Sequence, residues 1–155
     1  MRVAVLAFCL LVAGTALCAQ EQMNVTVQNH TGLAGFKQRN PSYVTVFTAE
    51  WCSDCQGSKA QQAQIRNAAW SHGWSLLNGD VGTRTEFRDP SNYLRADPLY
   101  NVQYVPTIYA IVNGVIVMRI VDQQIYDQNL VSQMVQYLNQ GVPPSRLPLL
   151  AKAGS

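Results

Sequence analysis

Cys52 and Cys55 stand three positions apart in Trp51-Cys52-Ser53-Asp54-Cys55, a spacing that suits either disulfide exchange or half of a tetrahedral zinc site. In exchange, one thiolate attacks a substrate disulfide and the second thiol, one helical turn on, resolves the mixed disulfide. A structural zinc instead needs four protein ligands, and the other candidates are chiefly His30 and His72, neither at ligand spacing. Exchange is therefore the expected chemistry, with no metal and no other cofactor; the alternative is a binding module whose oxidised pair only stiffens its loop.

Exchange requires the first cysteine at a strand-to-helix junction, where helix N–H groups and the positive end of the helix dipole stabilise a thiolate. The flanking residues predict that junction. Tyr43-Val44-Thr45-Val46-Phe47-Thr48 is β-branched and aromatic and reads as a buried strand. The segment Gln56 to Ser71 is rich in Ala, Gln, Lys and Arg and reads as one helix, with Gly73 as its terminator. Cys52 is then the nucleophile and Cys55 the resolving thiol. Trp51 is expected both to pack and to offer an exposed flat ring for peptide docking. Asp54 places a negative charge near both sulfurs, which disfavours the thiolate and pushes the pair towards a reductant. Its plainer role is to charge the first helical turn, worth about 0.3–1 kcal/mol. The dipeptide Ser53-Asp54 alone leaves the physiological direction open.

The remaining elements follow from periodicity and turn chemistry. Met23 to Gln28 reads as an edge strand, Leu33 to Gln38 as a short helix, and Ser75 to Val81 as a further strand. Gly82 to Asp97 is a polar loop holding Asp89-Pro90 and leading to a short helix near Tyr93. Thr107 to Val112 and Val115 to Val121 flank Asn113-Gly114, a strong hairpin signal because both turn residues take positive φ. Asp127 caps a helix whose Leu130, Val131, Met134, Val135 and Leu138 form one apolar stripe, ended by Gly141 and Pro143-Pro144. Trp70 and Trp74 are expected to pack within the domain. Alternating strands and helices before a hairpin give an α/β protein, with a mixed central sheet between two helical layers.

Residues 1–18 read as a secretory signal peptide. Arg2 precedes the apolar run Val3 to Val12, and Gly14, Thr15, Ala16 and Cys18 lead to a cut between Cys18 and Ala19. A retained anchor helix is the alternative, but the apolar run is short for a bilayer span. Cleavage removes Cys9 and Cys18 and leaves Cys52 and Cys55 to form a local disulfide, in a domain spanning 19–141 with a Pro-containing flexible tail at 142–155. Asn24-Val25-Thr26 and Asn29-His30-Thr31 fit the glycan-acceptor pattern of a secreted protein.

The chain of 155 residues is 48% hydrophobic, enough for one packed domain. A net charge of +2 with only 13% charged residues gives no electrostatic case for nucleic acid or a membrane surface as partner. The expected partners are a disulfide-containing protein or small molecule and an electron donor or acceptor, met by a monomer.

Thr48-Ala49-Glu50-Trp51-Cys52-Ser53-Asp54-Cys55, directly after a strand, resembles the active site of the thioredoxin superfamily. Val105-Pro106-Thr107 is similar to that superfamily's cis-proline segment. The chain further resembles the thioredoxin domain-containing protein 17 family, whose site reads Trp-Cys-Pro-Asp-Cys. The shared marks are Asp54, Asp80-Val81-Gly82, Arg88-Asp89-Pro90-Ser91-Asn92 and Arg95. The resemblance implies a thioredoxin-like fold, a cis bond at Pro106, and a substrate-binding segment of Val105, Pro106 and Thr107. It also implies reduction of disulfides in selected proteins and small molecules. Ser53 departs from the family proline, the family's insertion between strand and active site is missing, and the signal segment is foreign to a mainly cytosolic group. Val46 stands where many thioredoxins bury an aspartate. Arg84, Arg88 and Arg95 are expected to form salt-bridged surface, with selection of acidic partners as their alternative role.

Overall fold

The structure, a computed structural model, describes residues 10–12, 15–18 and 21–146. Its main sheet has five strands: β1 (Asn24–Val27), β2 (Tyr43–Thr48), β3 (Ser75–Asp80), β4 (Thr107–Val112) and β5 (Val115–Val121). Their spatial order is β1-β3-β2-β4-β5. The first three are parallel, whereas β4 runs antiparallel to β2 and β5 antiparallel to β4.

Period-2 alternation sorts the central strands between two cores. Tyr43 and Phe47 of β2, with Tyr109 and Ile111 of β4, face one side with Leu33 and Phe36 of helix α1 (His30–Arg39). Val44 and Val46, with Ile108 and Ala110, face the other. There they meet Ile65 and Ala69 of α3 (Lys59–Ser71) and Val131, Met134 and Leu138 of α5 (Gln128–Leu138). Val46 is thus core packing. Between them stand two short helices, α2 (Ser53–Gly57) and α4 (Arg84–Arg88), and a 3₁₀ turn, Asp122–Tyr126, follows β5.

Several expectations meet their physical limits here. The first helix begins at His30, earlier than expected, because the Asn29 side chain accepts from the Gly32 N–H and caps it. The single helix expected over 56–71 is divided at Ser58. The Ser58 hydroxyl donates 2.6 Å to the Asp54 carbonyl, and such back-bonding bends helices. The short helix expected near Tyr93 lies earlier, at Arg84–Arg88, where Thr83 and Glu86 form a reciprocal capping box. Tyr93 sits among turns instead, its hydroxyl donating to the Val27 and Asp80 carbonyls. Trp74 is fully buried with its Nε1–H on the Leu138 carbonyl, whereas Trp70 is 44% exposed and does not pack as expected.

The hairpin turn falls at Asn113-Gly114, with φ of 50° and 77°. Asp127 caps α5 through the N–H groups of Asn129 and Leu130. A separate small antiparallel sheet pairs Leu10–Val12 with Thr15–Cys18, and that strand with Ser145–Arg146. The remainder of the expected signal segment and of the tail lies outside the described residues, as does Ala19 at the expected cut. Among the described residues, no helix is long and apolar enough to cross a membrane.

Candidate active site

The end of β2 delivers the chain to the site through Ala49, Glu50 and Trp51, and α2 begins at Ser53. Cys52 is therefore the N-cap residue of that helix, with extended backbone, and its Sγ accepts the Cys55 N–H at 3.0 Å. Because α2 is only five residues long, this one aimed N–H matters more to the sulfur than any summed dipole. Cys52 and Cys55 are disulfide-bonded, with their Cα atoms 5.2 Å apart. Both are buried, Cys52 at 6% exposure and Cys55 at 3%.

The loop before β4 closes over the pair. The Val105–Pro106 bond is cis, and the Val105 carbonyl oxygen lies 3.4 Å from Cys52 Sγ. In the reduced state the Cys52 S–H can donate to that oxygen. Thr107 is buried, and its hydroxyl turns back to donate 2.7 Å to the Tyr104 carbonyl. The Pro106 carbonyl accepts the Asp122 N–H, which fixes the segment to the end of β5. Val105, Pro106 and Thr107 are thus brought to the cysteines from more than 50 positions away.

Trp51 is half-buried rather than an open platform. Its Nε1–H donates 2.7 Å to the Gly82 carbonyl, and its ring packs 6.1 Å from Phe87. The guanidinium of Arg84 lies 5.1 Å from its centroid. Arg95 similarly covers Phe87 at 5.7 Å and donates to the Phe87 carbonyl and to Gln103. Among the described residues neither arginine makes the expected salt bridge, and stacking on aromatic rings takes its place. Arg88 lies exposed in the last turn of α4.

Ser53 is exposed at the first position of α2, and Asp54 follows it half-buried. The Tyr126 hydroxyl donates to the Asp54 carboxylate at 3.2 Å and lies 3.4 Å from its carbonyl. Partial desolvation, then this hydrogen bond and the Asp54 charge, hold the phenol above its ordinary pKa. Beneath the pair, Gln62 is 4% exposed and donates to the Cys55 carbonyl at 2.8 Å and to Ser58 Oγ at 3.0 Å. Tyr104, two residues before the cis-proline, is 59% exposed. Sequence reasoning missed Gln62, Tyr104 and Tyr126. Only Tyr104 carried a signal, its position beside Val105-Pro106.

The rings of His30 and His72 each meet a backbone carbonyl. His30 Nε2 is 3.3 Å from the Ser91 carbonyl, and His72 Nδ1 is 2.8 Å from that of Ala68. An open cleft of about 500 Å³, lined by Asp80, Gly82, Glu86, Asp89 and Asn92 among others, adjoins Trp51 through Gly82 but does not contain the cysteines. Asn24 and Asn29 are exposed at the β1 edge and the start of α1.

A β1-β3-β2-β4-β5 sheet carrying a vicinal disulfide at a helix start, faced by a cis-proline, defines a thioredoxin-fold protein. Solved thioredoxins share the architecture. A mutant thioredoxin from Halobacterium salinarum is 21% identical, with a TM-score of 0.52 over 81% of this chain and 98% of that one. Thioredoxin O1 from Arabidopsis thaliana is 18% identical, with a TM-score of 0.53 over 72% of this chain and 97% of that one. Thioredoxin from Trypanosoma brucei brucei is 15% identical, with a TM-score of 0.53 over 79% and 96%. The model of the thioredoxin domain-containing protein 17-like family, thioredoxin domain, matches residues 36–137, and the chain belongs to that family. No curated protein matches it.

Proposed function

We propose that this protein is a secretory-pathway thiol–disulfide oxidoreductase, acting as a reductase of protein or small-molecule disulfides. The observation that carries the reading is the placement of Cys52 Sγ, 3.0 Å from the Cys55 N–H and 3.4 Å from the Val105 carbonyl. An aimed N–H stabilises a thiolate there, and a sulfur of the substrate can approach along the Val105-Pro106 segment.

The Cys52 thiolate attacks one sulfur of the substrate disulfide, forming a mixed disulfide and expelling the other sulfur as a thiolate, which takes up a proton. Cys55 then loses its proton and attacks Cys52 Sγ. The Cys52–Cys55 disulfide forms, the mixed disulfide breaks, and the second substrate thiol departs. The substrate gains two electrons and the protein loses two, so a dithiol donor must return the protein to its reduced form.

Val105, Pro106 and Thr107 form the substrate-facing segment. The charge of Asp54 within the cysteine turn favours the disulfide and hence the reductive direction. The apolar N-terminal segment directs the chain to the secretory pathway, where exposed Asn24 and Asn29 accept glycans.

The test is turnover of a disulfide substrate under a dithiol donor. Cys52→Ser should abolish it, and unchanged activity would sink the proposal. Cys55→Ser should accumulate a mixed disulfide through Cys52. A midpoint potential near that of thioredoxin supports the reductive direction, and one near that of protein disulfide isomerase reverses it.

A further inference from the structure

We propose that Tyr126 is a positioning residue for exchange: its phenol holds the Asp54 carboxylate and thereby sets the balance between the dithiol and disulfide forms of Cys52 and Cys55. The inference rests on the exchange reading and assigns a role to a residue 72 positions from the motif. Tyr126 is 45% exposed, yet its hydroxyl reaches back to α2 and meets Asp54 twice, at Oδ1 and at the carbonyl oxygen.

The contact is built from both sides. Position 57 is glycine, and a Cβ added there would lie 2.6 Å from the phenol oxygen. The last residue of α2 therefore leaves the space that the Tyr126 hydroxyl occupies. The 3₁₀ turn that carries Tyr126 is held in turn, since Asp122 at its start donates its N–H to the Pro106 carbonyl. One short segment thus touches the cis-proline at one end and the active-site helix at the other.

The electrostatic consequence has a definite sign. A carboxylate in the cysteine turn opposes a thiolate at Cys52 and so disfavours the reduced, ionised pair. A donated O–H partly compensates that charge and fixes the carboxylate on the Tyr126 side. Loss of the hydroxyl leaves the carboxylate uncompensated and mobile, so the thiolate is destabilised and the disulfide gains.

The experiment equilibrates the full mature chain against reduced and oxidised glutathione, comparing wild type, Tyr126→Phe, Asp54→Asn and the double variant. Tyr126→Phe keeps the ring and should favour the disulfide by about threefold in the equilibrium constant, roughly 14 mV for a two-electron couple. In the Asp54→Asn background the same substitution should change nothing. Gly57→Ala, which displaces the phenol without removing it, should shift the equilibrium in the same direction as Tyr126→Phe. No shift in Tyr126→Phe, or an equal shift with Asp54 removed, would overturn the proposal. The equilibrium is read independently of substrate turnover. Wild type that reaches equilibrium with glutathione but accelerates no disulfide turnover under a dithiol donor therefore refutes the catalytic reading and not the coupling of Tyr126 to Asp54.

Discussion

The side-chain amide of Gln62 donates 2.8 Å to the carbonyl of Cys55, and so ties the active-site helix α2 to the longer helix α3 behind it. The bond offsets a defect. The helical run is interrupted at Ser58, and the buried amide supplies a donor to Ser58 Oγ as well. Arg66 completes the chain of contacts, donating to Gln62 Oε1 at 3.4 Å and to Asn78 Oδ1 at 3.1 Å. Burial pushes the Arg66 guanidinium pKa down from its ordinary value.

Gln62→Leu therefore strips a buried carbonyl and a buried hydroxyl of one donor. Stability of the oxidised protein should fall by about 1–3 kcal/mol, the cost of leaving a buried polar group unpaired. Urea unfolding of wild type and variant measures it. A loss under a few tenths of a kcal/mol would show that the two helices hold together without this amide.

The fold was legible where a local signal and the tertiary need coincide. Strands β2, β4 and β5 follow from β-branched runs, the hairpin from Asn113-Gly114 and the last helix from Asp127 with its apolar stripe. The break at Ser58 was not legible, because its cause is a hydroxyl turned onto the Asp54 carbonyl within a run of helix formers. The helix at Arg84–Arg88 carried a readable Thr83-to-Glu86 capping box, masked by the polarity of the loop around it. The cysteines could be picked out by type and spacing, and Pro106 through the family resemblance. Tyr126 and Gln62 could not, since their positions depend on how β5 and α3 pack against α2. The arginines were misjudged for a similar reason: Trp51 and Phe87 offer Arg84 and Arg95 aromatic faces that no linear pattern reveals.

Acid should weaken the Arg84–Arg88 cap. The Glu86 carboxylate accepts the Thr83 N–H at 2.7 Å, and this backbone bond, then the Thr83 hydroxyl, holds its pKa below the ordinary 4.5. A depressed folded pKa means that the stabilisation is complete above 4.5 and is lost as pH falls through the folded value. Asp89, lowered by the Ser91 N–H and hydroxyl, adds a change of the same sign below 3.8. Glu86→Gln keeps an acceptor for Thr83 but cannot titrate. Its thermal midpoint should lie below wild type near pH 7, where only the ionised carboxylate adds stability, and fall less steeply below pH 4.5 so that the two converge in acid. Parallel acid limbs would remove Glu86 from the account.

Tyr104 should discriminate by substrate size. Its carbonyl is anchored by the Thr107 hydroxyl at 2.7 Å, while its ring is 59% exposed beside the segment that faces Cys52. Tyr104→Ala leaves the backbone anchor intact and removes a flat apolar contact worth about 1 kcal/mol. The expected result is a several-fold rise in KM for a protein disulfide, with kcat unchanged and small disulfides such as oxidised glutathione unaffected. Equal losses on both substrate classes would place the effect on the Val105-Pro106 backbone instead.

Asn24 and Asn29 give the secretory proposal a direct chemical test. The Asn24 side-chain oxygen accepts from Asn78 at 2.9 Å, and the Asn29 oxygen caps α1 through Gly32 at 2.8 Å. Glycan transfer replaces a hydrogen on the amide nitrogen and leaves both oxygens able to accept. The folded domain can therefore carry sugar at both sites without losing its cap or the β1–β3 edge contact. A bulky polar group on Asn24, the first residue of the edge strand β1, would also hinder unwanted strand pairing there. Expressed in animal cells behind its own first 18 residues, the chain should be secreted as a glycosidase-sensitive species. Asn24→Gln and Asn29→Gln should each remove one glycan-sized step in mass. Secretion without any such step would discard the glycan assignment alone, whereas retention in the cytosol would discard the secretory placement and leave the Cys52–Cys55 chemistry standing.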